Sequence, residues 1–167
     1  MSDEAPLLDG VHHLKLPVTD LGRSLEWYHR VLGYRLEAEF VEQGRLAGLS
    51  LEHPAGGPTM ALRLDPDRAA RSAGFDHFAI AVPSEEAMRS LAARLDAFGE
   101  GHAGVHQTSM GWILPMLRDP DGHEVRFYTW ETHAQAAAPG ERRRIHDPGP
   151  DMRVEIVDDS APLTAGA

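Results

Sequence analysis

Apolar and polar residues alternate in two short stretches 64 residues apart, Leu14, Leu16 and Val18 in one and Phe78, Ile80 and Val82 in the other. A period of two marks a strand with one face on a core, so His13, Lys15, His77, Ala79 and Ala81 are expected on the opposite face. The surrounding blocks align, Gly10-Val11-His12-His13-Leu14-Lys15-Leu16-Pro17-Val18 with Gly74-Phe75-Asp76-His77-Phe78-Ala79-Ile80-Ala81-Val82. After each block the period changes to three and four. Leu21, Leu25, Tyr28, Val31 and Leu32 make one helical stripe, with Thr19 or Asp20 as its cap and Gly33 as its stop. Met88, Leu91, Leu95 and Phe98 make another, between Ser84 and Gly99. Strand-like stretches follow at Arg35–Phe40, Leu46–Glu52 and Met60–Leu64, and in the second half at Gly104–Gln107, Trp112–Leu117 and Glu124–Tyr128. Turns fall at Pro54–Pro58 and at Asp119-Pro120-Asp121-Gly122.

Each half therefore reads strand–helix–strand–strand–strand. The fold expected is α+β, with two tandem βαβββ modules at residues 10–64 and 74–131 and a linker at 65–73 rich in Asp, Arg and Ala. The pattern decays over 132–167. Ala134–Gly140 is small, Glu141–Arg144 is charged, Pro148 and Pro150 break regular structure, and Met152–Val157 alternates enough for a short strand. This tail reads as an extended segment, with an arm on a dimer partner as the alternative.

Composition narrows the chemistry. At 167 residues the chain is one domain or two half-domains sharing a core. Acids outnumber Lys plus Arg by 26 to 16, a net charge of −10, which argues against nucleic-acid partners and against an anionic membrane surface. Zero cysteines exclude disulfides, thiolate metal sites and a cysteine nucleophile. No apolar run approaches a membrane span and Met1–Pro6 lacks a secretory pattern, so a cytoplasmic location is expected. Ten histidines and the carboxylates remain for acid–base or metal chemistry.

Four phrases carry a family resemblance: His13-Leu14-Lys15-Leu16-Pro17-Val18-Thr19-Asp20; Ser24-Leu25-Glu26-Trp27-Tyr28-His29-Arg30-Val31-Leu32-Gly33; Asp76-His77-Phe78-Ala79-Ile80-Ala81-Val82; and Asp119-Pro120-Asp121-Gly122-His123-Glu124-Val125. In this order, over residues 10–131, they resemble the vicinal oxygen chelate superfamily. That group includes glyoxalase I, extradiol dioxygenases, fosfomycin-resistance transferases and bleomycin-resistance proteins. The resemblance implies strands curled into half-barrels, a homodimer, and a small-molecule ligand or substrate in the barrel. It also implies a divalent metal (Fe, Mn, Ni or Zn) inside, with His13 and His77 matching the two histidine ligands. Two imidazoles and a carboxylate bind one side of such an ion and leave adjacent positions for neighbouring substrate oxygens.

The third ligand departs from the family pattern. Four residues after the glycine of the Asp-Pro-Asp-Gly turn, where a metal-binding relative carries glutamate, this chain has Arg126. Two unit charges about 4 Å apart interact by roughly 4 kcal/mol at an effective dielectric near 20, and a divalent ion doubles that. Arginine cannot escape by deprotonating. Glu124 is the nearby alternative ligand, but it lies two residues back and would need a register shift such as a bulge. It is otherwise expected to pair with Arg126 or Lys15. The residues favour a metal-free pocket of His13, Lys15, His77, Glu124, Arg126 and Tyr128, with metal bound by His13, His77 and Glu124 as the alternative.

In that pocket His13 or His77 would act as general base and Lys15 or Arg126 as electrostatic stabiliser. Trp112 would stack on a ligand or pack in the core. His12, His29, His53, His102, His106 and His123 are expected at the surface or in turns, and Met110 and Met116 as gap fillers. Ser109 has no nucleophile context. Three functions stay open: a small oxygenated metabolite bound or transformed in an anion-tolerant cavity, a metal-dependent lyase, isomerase or dioxygenase, and a drug-binding protein of the bleomycin-resistance type.

Overall fold

A computed structural model describes residues 6–108, 110–131, 142–146, 153–157, 160 and 163. The first module runs β1 (His13–Val18), α1 (Leu21–Leu32), β2 (Arg35–Glu42), β3 (Arg45–Glu52) and β4 (Thr59–Leu64). After α2 (Pro66–Ser72) the second runs β5 (Ala79–Val82), α3 (Glu85–Phe98), β6 (His106–Gln107), β7 (Trp112–Arg118) and β8 (Glu124–Thr129). The sheets repeat one topology, β1-β4-β3-β2 and β5-β8-β7-β6. The first and last strand of each module lie side by side in parallel, and the other pairs are antiparallel. The duplicated α+β pattern of the sequence is the architecture of the chain.

Both long helices start and stop where the caps lie. The Asp20 carboxylate accepts the Arg23 N–H at the start of α1, and Ser84 accepts the Ala87 N–H at the start of α3. Gly33 and Gly99 end them at φ +81° and +72°, a left-handed conformation that glycine adopts without a Cβ clash. Leu21, Tyr28 and Val31 of α1 bury against Leu16, Val18, Leu51 and Leu62 of the first sheet, and Met88 and Leu95 of α3 against Leu114, Leu117 and Phe127 of the second. These residues form one continuous core, so the helix-bearing sides of the modules join and the other sheet faces turn outward.

Polar contacts fix that joint. The Asp121 carboxylate, almost fully buried, accepts from the Thr19 hydroxyl at 2.5 Å, Arg23 Nη2 at 3.0 Å and Ser24 Oγ at 3.4 Å, at the positive end of the α1 dipole. The Tyr28 hydroxyl donates to Asp119 Oδ2 at 3.0 Å. Glu100 accepts from Trp27 Nε1 at 3.1 Å and Arg30 Nη2 at 2.7 Å. Trp27 thus lies buried at the junction of the modules.

Residues 65–73 are more structured than a linker. Asp65 caps and Pro66 opens α2, whose Ala69 is fully buried. A helix with one buried residue has no apolar stripe to announce it. Asp-Pro at cap and first position was the available signal. In the tail, β9 (Arg142–His146) and β10 (Arg153–Val157) form an antiparallel hairpin, so the charged run joins the short strand as its partner. Ser109, Ala134–Gly140, Pro148 and Pro150 lie outside the described residues.

Candidate functional site

The alternation that buries Leu16 and Val18 turns His13 and Lys15 of β1 onto the open face of the first sheet. Across the ladder they lie beside Thr59 and Ala61 of β4. With Glu37, Phe40, Glu42, Ser50 and Arg63 they line a cavity of about 670 Å³, and its described lining residues all belong to the first module. Ser50 Oγ donates to Glu37 Oε2 at 2.7 Å. Arg63 grips Glu42 with two nitrogens at 2.5 and 2.7 Å, and this pairing holds the Glu42 carboxyl below its usual range. His12 and His13 touch through their Nδ1 atoms at 3.1 Å. Lys15 has no ion-pair partner among the described residues, which leaves an exposed ammonium on this face.

The second open face carries Ala79 and Ala81 of β5 beside Arg126 and Tyr128 of β8. Here the charges are tied together. Arg126 Nε donates to Glu124 Oε1 at 2.7 Å and its Nη1 lies 3.1 Å from Asp76 Oδ2. The bond from Arg126 holds the Glu124 carboxyl below the usual range although burial opposes it, and the bond to Glu124 pushes the guanidinium further up. The Glu124–Arg126 pairing expected from their spacing is formed.

A bulge does occur, in the facing strand. The β7–β8 register shifts between Leu114 and Leu117, with Met116 at φ +69°. Its backbone N–H donates to Glu124 Oε1 at 3.1 Å, so the bulge engages the same carboxylate oxygen as Arg126. Met116 is therefore not a gap filler: it is half exposed on a strained backbone, at a cost of order 1–3 kcal/mol. Pro115 inside a strand pattern was the sequence signal for it.

His77 precedes β5, is exposed, and packs its ring edge-on to Phe75 at 5.1 Å and His123 at 5.2 Å. His123, expected at the surface or in a turn, follows the Asp-Pro-Asp-Gly turn but is fully buried. Its Nδ1 lies 2.9 Å from Asp119 Oδ2 and its Nε2 3.1 Å from Ser72 Oγ, so it ties α2 to the Asp-Pro-Asp-Gly turn. The turn needs a buried partner for Asp119, and a histidine supplies it, which composition alone does not reveal. His102 is also buried, with Nδ1 accepting from the Gly104 N–H. Trp112 shares the core side of β7 with Leu114 and lies under Arg89 of α3, whose guanidinium carbon is 5.5 Å from its ring centroid. It is therefore away from the open face.

The structure thus brings together Glu124, Arg126 and Tyr128 with Asp76, and separately His13 with Lys15. Among the described residues, the cavity that holds His13 contains none of the second module. Asp76 was legible only as a neighbour of His77 in a quoted phrase.

The sequence model of the Glyoxalase/Bleomycin resistance protein/Dioxygenase superfamily matches residues 10–127. The chain belongs to this superfamily. Among curated proteins it is 30% identical over 135 residues to a catechol-2,3-dioxygenase of Bacillus subtilis, covering 72% of this chain and 44% of that protein, so it spans under half of that relative. It is 29% identical over 139 residues to the glutathione transferase FosA of Serratia marcescens, covering 79% and 89%. Among solved structures it resembles TnmS3, an antibiotic binding protein from Streptomyces sp. CB03234, at TM-score 0.62 and 17% identity over 75% of this chain and 98% of that one. At that identity the likeness concerns the fold. Superfamily membership and the duplicated sheets agree, and no helix among the described residues is long and apolar enough to cross a membrane.

Proposed function

We propose that this superfamily member binds a small oxygenated anion, a carboxylate, phenolate or enolate, on its open half-barrel faces without a divalent metal. The observation that carries the reading is Arg126. A guanidinium stands at the position where the family's pattern places a carboxylate ligand, and it draws Glu124 and Asp76 into its own ion pairs. The donor set does not fit a divalent ion: a cation sits in it, and Glu124 already serves two donors. Metal-dependent chemistry through His13, His77 and Glu124 therefore gives way to electrostatic binding. Lys15, without a salt-bridge partner among the described residues, neutralises the ligand's anionic oxygen, and Arg126, fixed by its carboxylates, offers its remaining N–H donors. His13 and His77 are the imidazoles that would take a proton from a bound acid if chemistry follows.

Each open face is half of a barrel, and a second copy of the chain closes it in this reading, setting Lys15 of one copy toward Arg126 of the other. The homodimer thereby encloses two cavities. The test is a thermal-shift screen of small carboxylic acids, phenols and cationic antibiotics, repeated with Lys15→Met. Stabilisation by acids or phenols that falls about tenfold in affinity in the variant is expected. Stabilisation by cationic antibiotics alone would sink the anion reading and favour a drug-binding role.

A further inference from the structure

We propose that the cleft between the modules is a second binding site, apart from His13, Lys15 and Arg126, for a small molecule with an apolar body and one carboxylate. The cleft runs along β1 and β5, the free end strands of their sheets, and holds about 740 Å³, within the range of about 300–1,000 Å³ typical of metabolite-sized pockets. Leu14 and Val31 wall it from the first module, Ile80, Val82 and Phe127 from the second. Among the described residues no Asp or Glu lines it.

Two polar groups in this apolar cleft point to a ligand. Tyr34 is only 8% exposed, and its backbone N–H donates to the Tyr28 carbonyl at 3.2 Å, but its hydroxyl makes no hydrogen bond among the described residues. Its ring is held in place by edge contacts to Tyr28 at 6.2 Å and His53 at 5.1 Å. The hydroxyl is not sealed off from solvent, so it is open to a partner in the cleft. Burial keeps it protonated, as a donor. His53 cannot be that partner's substitute, because Nε2 is taken by the Leu32 carbonyl at 3.1 Å and Nδ1 by the Ala55 N–H at 3.1 Å.

The second group is Arg94, exposed on α3 at the rim of the cleft. One of its five N–H donors goes to the Arg30 carbonyl at 3.0 Å, and its guanidinium carbon lies 4.6 Å from the Phe98 ring centroid. It has no carboxylate partner among the described residues. An arginine without a counter-ion beside an apolar cleft with no acidic residue matches an apolar acid. The Tyr34 hydroxyl then meets the ligand's acceptor atom inside.

The test uses 4-phenylbutyrate as the probe, followed by calorimetry and by amide and methyl NMR of the full chain. Saturable one-to-one binding is expected, with shifts centred on Ile80, Val82 and Leu91 and with weaker binding of the uncharged 4-phenylbutyramide. Arg94→Gln, an exposed change that spares the core, lowers affinity about tenfold. Tyr34→Phe, which keeps the ring, lowers it about threefold. No saturable binding, unchanged affinity in either variant, or shifts centred on His13 and Lys15 would overturn the assignment. The last outcome would leave the open-face reading intact, so the two proposals fail separately.

Discussion

Lys15 on β1 stands beside Ala61 on β4, and 64 residues later Ala79 on β5 stands beside Arg126 on β8. The two modules place one cation and one alanine at the same level of the same parallel ladder, with the strands exchanged. The surroundings then diverge. Arg126 is locked between Glu124 and Asp76, under a bulge that adds a backbone donor, whereas Lys15 makes no salt bridge among the described residues and feels only the nearby charge of Glu42. The duplicated frame thus conserves a place for positive charge in each half-barrel while letting one half fix it rigidly and the other leave it available. A rigid guanidinium and a mobile ammonium are complementary means of holding an anion: the first fixes direction, the second adapts.

The largest expected effects test whether the two modules are one unit. Phe127→Ala in the second and Leu62→Ala in the first each remove a fully buried side chain from the same core and should cost about 3–5 and 2–5 kcal/mol. Both variants should still unfold in a single transition by calorimetry. Two separated transitions would show the halves to be independent and would undo the argument that the joined helix faces orient the open ones.

Next in size is the contrast between the charged networks. Glu124→Ala strips Arg126 of its nearest counter-charge and leaves the Met116 N–H without its acceptor, a loss of about 2–3 kcal/mol in chemical denaturation. Glu42→Ala breaks an exposed pair on the first face and should leave the midpoint unchanged within error. Equal losses would mean that the two faces are built alike.

The smallest effect is in pH. Glu124 has its folded pKa depressed, chiefly by Arg126, so its contribution is complete above the unfolded value of about 4.3 and is lost as pH falls through the lower folded value. Wild type should therefore lose stability below about pH 4 more steeply than Glu124→Gln. Parallel profiles would remove Glu124 from the ion pair.

The repeat, both caps, both helix stops and the eight strands of the two modules were legible because they are local: spacing and cap chemistry decide them within a few residues. So was the exclusion of a carboxylate at Arg126, a matter of one position after a turn. What escaped depends on contacts between distant segments. His123 has the composition of a turn residue, and only the packing of α2 onto the Asp-Pro-Asp-Gly turn buries it. Trp112 has the composition of a stacking platform, and only the choice of face by Leu114 assigns it to α3. Asp76 and Met116 join the Arg126 network through a strand end and a bulge, where periodicity carries no information.

The claim that Arg126 has converted a metal site into an anion site is tested most directly by metal content. Protein purified without chelators is analysed for bound elements and titrated with Mn, Fe, Ni and Zn, beside Arg126→Glu. The account predicts no stoichiometric metal in the wild type and a gain of metal affinity in the variant. Stoichiometric, tightly held metal in the wild type, lost in His13→Ala or His77→Ala, would contradict it.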